Sequence, residues 1–272
     1  MPARTAPKTG SRRRRPAPTR HELHGRAAFV TGGAVRVGAA VARHLAAAGC
    51  DVVVHHHRSA AAAKALVREL EDGGVHAATI TGDLANATQR AKLLPAAAAA
   101  LGRPVDVLVN NASTFPPRRL DDLSWDGLLA DLAVNAWAPF ELTRAFAAQL
   151  PRRGEGAVVN FLDARIVDDD RRHVGYFLAK RMLADLTRLC ALELAPRVAV
   201  NAVAPGPTLP PPGMDVRKGA ALMERLSARL PLQRAPTPDD LARAVVHLAG
   251  ARALTGQVLF VDGGRHLGRP EA

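Results

Sequence analysis

The chain alternates short apolar runs with longer segments in which apolar residues recur at helical spacing. Residues 27 to 31 (AAFVT) form the first run, and Val37, Val41 and Leu45 follow it at helical intervals. Further β-rich runs lie at 51–57, 76–80, 105–111, 156–162, 197–203 and 257–262, and helical patterns at 59–72, 87–101, 126–149, 174–195 and 237–250. Strands that alternate with helices predict right-handed crossovers, and therefore an α/β fold with a doubly wound parallel sheet covered on both faces. No linker interrupts the pattern, which indicates a single domain over residues 26–272.

Positive charge is concentrated at the start of the chain. Residues 1 to 26 hold eight Arg and Lys side chains against Glu22, a balance of +7 out of the net +12, so the remaining residues carry only +5. The segment 1–25 is rich in Pro and Arg and has no apolar periodicity, so it cannot bury enough surface to offset its ordering entropy. We predict a disordered basic tail. A solvated extension is the simpler interpretation, and nucleic acid is expected as a partner only through this tail.

Other features of composition concern the compartment. Cys50 and Cys190 are the only cysteines and lie far apart, so no disulfide framework is predicted and a reducing, cytoplasmic setting is expected. No apolar run approaches the ~20 residues of a membrane span, and no membrane association is expected. An export signal is not expected either, because no apolar segment follows the first arginines, whereas an organellar transit role stays open.

The stretch TGGAVRVG, residues 31 to 38, joins the first run to the first helical pattern. Gly32 follows the strand, Gly33 permits close backbone approach, and Gly38 lets the new helix pack on the sheet. The N-terminus of such a helix offers N–H groups and a positive dipole end to a pyrophosphate. An ordinary strand–helix corner is the alternative. Arg36 is unusual here, because a small residue is common at this position of a phosphate-binding turn.

If the glycine turn binds a dinucleotide, the residues at the end of the second strand indicate whether it is NAD or NADP. A site for NAD usually presents Asp or Glu to the ribose hydroxyls, whereas a 2′-phosphate needs cations and hydrogen-bond donors. The chain has HHHRSA at 55–60 and no acid, and Arg58 with Ser59 suits NADPH. The three histidines do not predict a metal site, because side chains of a strand alternate between its faces. A plain surface strand end is the alternative.

The stretch YFLAK places Tyr176 and Lys180 on one face of a helix. A lysine ammonium beside a phenol favours the phenolate, so we expect the pKa of Tyr176 to fall below its usual ~10 toward a value useful in proton transfer. Taken alone, a tyrosine and a lysine four residues apart would often be a coincidence.

Taken with the glycine turn, however, the chain resembles the short-chain dehydrogenase/reductase family over residues 26 to 267. The family's motifs occur in order: TGGAVRVG, GDL with Asp83, NNAS at 110–113, Asn135 in VNAWAPF, YFLAK, NAVAPG and LTGQVLFVDGG. The resemblance implies a Rossmann-type fold with Tyr176 as proton donor, Lys180 on the nicotinamide ribose and Asn135 supporting a water relay. It implies NADPH binding by Gly32, Arg36, Val37, Gly38, His57, Arg58, Ser59, Asp83, Leu84, Asn111, Ala112, Tyr176, Lys180, Pro205 and Gly206.

Two departures from the common family pattern narrow the expectation. Asp163 stands thirteen residues before Tyr176, where most members have a catalytic serine, and Arg36 stands in the glycine turn. Both are similar to the pteridine reductases of the family, which would make Asp163 a fourth catalytic residue. The same resemblance implies substrate binding by Arg36, Ser113, Phe115, Asp163 and Tyr176. The alternatives are a loop Asp in an enzyme that has lost activity, a surface cation at Arg36 and a core aromatic at Phe115.

The function expected from the sequence is therefore an NADPH-dependent reductase of a dihydropterin or dihydrofolate. A carbonyl reductase acting on a 3-oxoacyl chain or another ketone is the second hypothesis, and a non-catalytic NADP-sensing protein is the third. Arg165 and the proline-rich loop GPTLPPPGM at 206–214 leave the particular substrate open. The resemblance suggests a homotetramer.

Overall fold

Seven parallel strands form one sheet, in the order β3-β2-β1-β4-β5-β6-β7. The computed structural model describes residues 23–268. The strands are β1 (Ala27–Val30), β2 (Asp51–His56), β3 (Ala77–Thr81), β4 (Val107–Asn110), β5 (Gly156–Phe161), β6 (Val198–Pro205) and β7 (Val258–Val261). The helices are α1 (Arg36–Ala47), α2 (Ala60–Asp72), α3 (Ala87–Leu101), α4 (Trp125–Leu132), α5 (Ala138–Gln149), α6 (Val174–Glu193), α7 (Val216–Ser227) and α8 (Pro238–Gly250). This arrangement confirms the expected Rossmann-type α/β fold.

The sheet is buried on both faces, as continuous apolar strands require. Leu45 of α1, Leu66 of α2 and Val245 of α8 lie in one apolar cluster with β1, β2 and β4. Leu93 of α3 and Phe146 of α5 lie in a second cluster on the opposite face. The strand order reverses between β1 and β4, which are neighbours with Ala28 opposite Val107. Ligands of such sheets bind at the carboxyl ends of the strands beside this reversal.

Two helices differ from the pattern predicted by the sequence. The segment 126–149 was expected to be one helix, but α4 and α5 are joined by a π turn, Ala133–Trp137, which contains Asn135. Helix α7 was not predicted at all. Its Leu222, Met223 and Leu226 are half-buried and recur at helical spacing with the buried Gly219, so the sequence does contain an apolar stripe for this helix.

The structure corrects the prediction of a disordered basic tail over residues 1–25 at its last three residues, 23–25. Leu23 is fully buried in the first cluster, and the Gly25 N–H donates to the Gly49 carbonyl at 2.9 Å. Residues 23–25 therefore pack on the folded body, because Leu23 is an apolar side chain beside Cys50, whose thiol donates to the Leu23 carbonyl. The rest of the predicted tail, 1–22, and the end of the predicted domain, 269–272, lie outside the described residues.

Across residues 23–268, no helix combines the length and the apolar character that crossing a membrane requires. The same residues contain no group of three or more His, Cys, Asp or Glu side chains that could hold a metal ion.

Candidate active site

A cleft of about 960 Å³ opens at the carboxyl ends of β1, β2 and β4. Most of the residues expected to bind the cofactor line it, namely Gly32, Arg36, Val37, Gly38, His57, Arg58, Ser59, Asp83, Leu84, Asn111 and Ala112. Ser113 and Phe115, expected on the substrate side, line it as well. Pro205 and Gly206 lie beyond it at the end of β6, where the Gly206 N–H donates to the Val261 carbonyl at 2.9 Å.

The glycine turn is packed so closely that Gly38 admits no side chain. A Cβ there would lie 2.2 Å from the Gly32 carbonyl oxygen and 2.7 Å from Nδ2 of Asn111. Gly32 itself has φ +60°, a left-handed conformation that favours glycine. The first turn of α1, which begins at Arg36, has no acidic residue and no side-chain cap from a described residue. Its N–H groups and dipole therefore suit a pyrophosphate.

His55 holds this turn in place, a role that the sequence reasoning missed. Its Nδ1 accepts a hydrogen bond from the Gly32 N–H at 3.1 Å, so Nε2 carries the proton and donates to the Gly82 carbonyl at 3.1 Å. Burial lowers the pKa of His55 to about 4, which keeps the ring neutral at pH 7. The ring thus ties the glycine turn to the loop before Asp83. From the sequence, His57 is expected at the cofactor and no metal site is expected, but no role was predicted for His55, which is buried together with His56.

Arg58 and Ser59 line the cleft just after the end of β2. Arg58 is exposed and forms no ion pair with any described residue, so its guanidinium is available to a ligand. Ser59 is the N-cap residue of α2, and its side chain makes no capping bond in the structure. His57 is exposed beside them. The three residues offer a cation and hydrogen-bond donors where an acid would stand in an NAD site.

Tyr176 and Asp163 contact each other, although neither is among the residues that line the cleft. The Tyr176 hydroxyl donates to Oδ2 of Asp163 at 3.2 Å, and Tyr176 is buried. Burial, followed by the nearby Asp163 carboxylate, raises the pKa of Tyr176 well above its usual value. The expected lowering by Lys180 is therefore wrong for this structure. The Lys180 ammonium donates to the Phe161 carbonyl at 2.7 Å instead and lies 5.7 Å from the centre of the Tyr176 ring.

Lys180 is itself fully buried, and this burial lowers its pKa to about 8. The buried ammonium loses its hydration, which disfavours the charged form, and its hydrogen bond to the Phe161 carbonyl oxygen replaces only part of that hydration. Lys180 thus reaches from α6 to the end of β5, with Tyr176 one helical turn before it.

Asn135 fixes the strand-end loop that carries Ser113. Its Oδ1 accepts hydrogen bonds from the Ser113 hydroxyl at 2.7 Å and from the Thr114 N–H at 3.1 Å. Its Nδ2 donates to the carbonyls of Thr114 and Asp131, both at 3.1 Å. The π turn presents this side chain to the loop. In the structure Asn135 is therefore engaged in holding protein groups, and no contact tests its expected part in a water relay.

Phe115 lies against Tyr176. Its ring meets Tyr176 edge to face at 4.6 Å and stacks on His173 at 3.8 Å with an interplanar angle of 13°. Phe115 remains 47% exposed, so a face or edge of the ring is accessible from the cleft. It is not a core aromatic.

Arg36 points elsewhere than expected. Its Nη2 donates to the Pro210 carbonyl at 2.8 Å, in the proline-rich loop after β6, and its backbone has the left-handed φ of +55°. It makes no hydrogen bond or ion pair with Asp163 or Tyr176, so the structure does not bring these three expected substrate contacts together. The side chain is long and exposed, and it crosses the mouth of the cleft from the glycine turn to this loop.

Comparison with known proteins agrees with this geometry. Residues 33–266 match the family model described as enoyl-(acyl carrier protein) reductase. An uncharacterized oxidoreductase of Mycobacterium tuberculosis is 36% identical over 245 residues, which cover 89% of this chain and 92% of that protein. The structure of FolM alternative dihydrofolate reductase 1 from Brucella suis in complex with NADP is 35% identical, with a TM-score of 0.81, covering 89% of this chain and 96% of that one. The angucycline C-6 ketoreductase LanV with bound NADP is 28% identical, with a TM-score of 0.81, covering 91% and 98%.

These matches span almost all of the described sheet and its helices, and the similar proteins include both a dihydrofolate reductase and a ketoreductase. The match with the family model begins inside the glycine turn and ends just beyond β7. The chain therefore belongs to the short-chain dehydrogenase/reductase family of oxidoreductases.

Proposed function

We propose that this protein is an NADPH-dependent reductase of a pteridine-type substrate, a dihydropterin or a dihydrofolate. The observation that carries the proposal is the Asp163 carboxylate, which accepts a hydrogen bond from the Tyr176 hydroxyl at 3.2 Å. A carboxylate accepts hydrogen bonds and donates none, so it suits the N–H groups of a pteridine ring better than the oxygen of a ketone. The 35% identity with the Brucella FolM structure supports the same substrate class.

The proposed cofactor fits the residues of the cleft. The uncapped first turn of α1 suits the pyrophosphate, the closely packed Gly38 lets the ligand approach the backbone, and Arg58 suits a 2′-phosphate. The Brucella structure and LanV both contain NADP, which supports NADPH here. When bound, NADPH supplies the hydride that reduces the substrate ring.

The catalytic roles proposed for this chain follow from the contacts of Tyr176. Its pKa lies well above its usual value, so at neutral pH the hydroxyl holds a proton that it can give to a ring atom of the substrate. Asp163 orients that hydroxyl through Oδ2 and is proposed to accept an N–H of the substrate. Lys180 would lie against the nicotinamide ribose, and Asn135 would keep Ser113 in position for the ring. Phe115 offers an accessible aromatic face for stacking.

Reduction of a ketone is the second candidate, and the LanV comparison favours it. A protonated, buried Tyr176 suits an alkoxide as well as a ring nitrogen. The neighbouring Asp163 carboxylate argues against it, because a negative charge beside the tyrosine would repel a developing alkoxide.

A substrate panel followed by NADPH consumption tests the proposal. We expect turnover of dihydrobiopterin or dihydrofolate and little turnover of 3-oxoacyl thioesters. Asp163→Ser, which restores the common family residue, should impair pterin reduction severely and leave or raise activity with a ketone. An unmodified enzyme that reduces ketones readily and ignores both pterins would contradict the pteridine assignment.

The proposal also covers the setting of the enzyme. Cys50 and Cys190 are both buried free thiols, which supports a reducing, cytoplasmic compartment. Leu189 and Leu192 are 61% and 80% exposed on α6, which supports assembly into a homotetramer; light scattering on the purified protein measures the number of subunits. The basic segment 1–22 is proposed to be dispensable, so its removal should leave the melting temperature and NADPH turnover unchanged.

A further inference from the structure

The loop between β5 and α6 holds a charged side chain beside the proposed substrate position. Arg165 lies two residues after Asp163, in the short 3₁₀ turn Ala164–Val167. Its Nη1 is 2.5 Å from Oδ2 of Asp170, and its Nε is 3.7 Å from Oδ1 of Asp163. The guanidinium therefore lies between two carboxylates, and its charge is already compensated within the loop.

Arg165 restricts the orientation of the Asp163 carboxylate. The Arg165 backbone N–H donates to Oδ1 of Asp163 at 2.8 Å, on the same oxygen that faces the Arg165 guanidinium. Oδ2 is left to accept from the Tyr176 hydroxyl. With Oδ1 engaged on the loop side, the carboxylate presents one defined oxygen to the site.

Asp170 connects the same guanidinium to the aromatic wall of the site. Its Oδ1 accepts from the backbone N–H groups of Arg172 at 2.7 Å and of His173 at 2.9 Å, and lies 3.2 Å from Nδ1 of the His173 ring. That ring stacks on Phe115. The position of Phe115 against Tyr176 thus depends on a chain of contacts that begins at Arg165.

The guanidinium also packs directly on aromatic rings. Its central carbon lies 4.6 Å from the centre of the Phe177 ring and 5.8 Å from that of Phe115. Such contacts add cation–π attraction, and they hold the planar group in one orientation.

We propose that Arg165, held by Asp170, is the positioning residue of the substrate side of the site, fixing both the carboxylate of Asp163 and the ring of Phe115 next to Tyr176. The inference rests on the proposed function insofar as Asp163 and Phe115 are taken to contact the substrate. Arg165 is not itself among the residues that line the cofactor cleft, so its effect on catalysis is proposed to pass through these two neighbours.

Steady-state kinetics distinguish an effect of Arg165 on the position of Asp163 and Phe115 from an effect on cofactor binding. Arg165→Met keeps an unbranched side chain and removes the charge, and we expect it to lower kcat for dihydrobiopterin about 10- to 100-fold, as small misplacements of reacting groups do. The KM for NADPH should stay within about twofold of its original value, because Arg165 is outside the cleft that holds the cofactor. Arg165→Lys, which can still pair with Asp170 but lacks the planar fork, should restore part of kcat.

Asp170→Asn and Asp169→Asn form a matched pair of the same chemical change at adjacent positions. Asp169 is 96% exposed and pairs with Arg181 at 3.0 Å, outside the chain of contacts that leads to Asp163. Asp170→Asn should reproduce the loss of kcat, whereas Asp169→Asn should leave it within about twofold. Equal losses of kcat in the two variants would show that the negative charge of the loop matters and the contact between Asp170 and Arg165 does not, and would overturn the inference.

A spectroscopic test does not depend on the substrate. Tyr176 is the only tyrosine of the chain, so protein produced with 3-fluorotyrosine gives a single ¹⁹F signal from the site. Arg165→Met and Asp170→Asn should shift or split this signal, because Asp163 and Phe115 both contact the Tyr176 ring or hydroxyl. Asp169→Asn should leave it in place.

The two tests distinguish failure of this inference from failure of the proposed function. If the unmodified enzyme reduces no pterin but Arg165→Met moves the ¹⁹F signal, the pteridine assignment is wrong and the positioning role of Arg165 stands. If Arg165→Met leaves both the ¹⁹F signal and kcat unchanged, the positioning role is overturned whatever the substrate.

Discussion

At the scale of single residues, the proton on Tyr176 is held by its surroundings. Burial removes water from the phenol, and the Asp163 carboxylate disfavours a second negative charge, so both raise the same pKa. Tyr176→Phe deletes the hydroxyl while keeping the ring that contacts Phe115. We expect kcat to fall roughly 10²- to 10⁴-fold, the usual contribution of a general acid, with the affinity for NADPH nearly unchanged. Single-turnover measurements with the preferred substrate check this, and a variant that retains full activity would remove Tyr176 from the proton path.

Arg58 is a second residue, and its effect on cofactor preference can be measured without disturbing the fold. It has no ion-pair partner among the described residues, so its replacement disturbs little of the fold. Arg58→Ala should remove most of the preference for NADPH over NADH by deleting a charge-assisted contact worth about 1.5 to 3 kcal/mol. Binding of both cofactors by fluorescence titration measures the ratio. Arg68, which lies farther along α2, offers a matched control, because Arg68→Ala should leave the ratio as it was.

Residue-level expectations failed where the outcome depended on a third group. Tyr176 and Lys180 lie on one face of a helix, as their spacing predicts, but the Tyr176 pKa rises because the phenol is buried and faces Asp163. The Lys180 ammonium is bonded to the Phe161 carbonyl. Sequence spacing carries no information on which carbonyl a lysine reaches. The same limit applies to Arg36, whose partner Pro210 is 174 residues away.

At the scale of elements, the glycine turn and α1 depend on close backbone contact. A Cβ on Gly38 would lie 2.2 Å from the Gly32 carbonyl oxygen and 2.7 Å from the Asn111 side-chain amide, which is itself held by the Thr31 and Gly32 carbonyls. Gly38→Ala should therefore shift the turn, destabilise the fold by about 1 to 3 kcal/mol and abolish NADPH binding. Urea unfolding and cofactor titration check the two effects.

Gly219 provides the comparison for this prediction, since it lies in the first turn of α7. An added Cβ there would meet only the Pro210 side chain, at 3.2 Å. Gly219→Ala should bind NADPH as the unmodified protein does. If Gly38→Ala also binds normally, the turn is more adaptable than its packing implies.

The strands and most helices were predictable because their buried positions are apolar and recur at the spacing of a strand or a helix. Helix α7 also has such a pattern in Leu222, Met223 and Leu226, so it was predictable from the sequence although it was not predicted. The π turn at Asn135 was not predictable in this way, because an inserted residue changes the hydrogen bonding without changing the apolar pattern around it. His55 was visible in the sequence, but its hydrogen bonds to two glycine-containing loops required the paired strands to be in place.

At the scale of the whole molecule, His55 couples stability to pH. Its pKa is about 4 in the folded protein, below the ordinary value of 6.5, so between these values the unfolded chain binds a proton that the folded protein does not. Stability is therefore complete above pH 6.5 and is lost as the pH falls toward 4. We expect this residue to contribute a loss of about 2 kcal/mol in the free energy of unfolding between pH 7 and pH 4.5. Urea unfolding at the two pH values measures it, and His55→Gln should show a smaller drop; an identical drop in both proteins would assign the effect to other groups.

The hydrogen bond from Arg36 to the Pro210 carbonyl predicts the order in which cofactor and substrate bind. A guanidinium bonds a phosphate more strongly than it bonds a neutral carbonyl, so a cofactor that places its pyrophosphate at the first turn of α1 draws Arg36 away from the loop after β6. Until that exchange, the hydrogen bond ties the loop to the glycine turn, and we expect it to hinder entry of the second reactant. The enzyme should therefore follow a compulsory sequence, with dinucleotide first to arrive and last to leave. Product-inhibition kinetics should show NADP⁺ competing with NADPH but not with the substrate, and Arg36→Ala should convert this pattern into random addition.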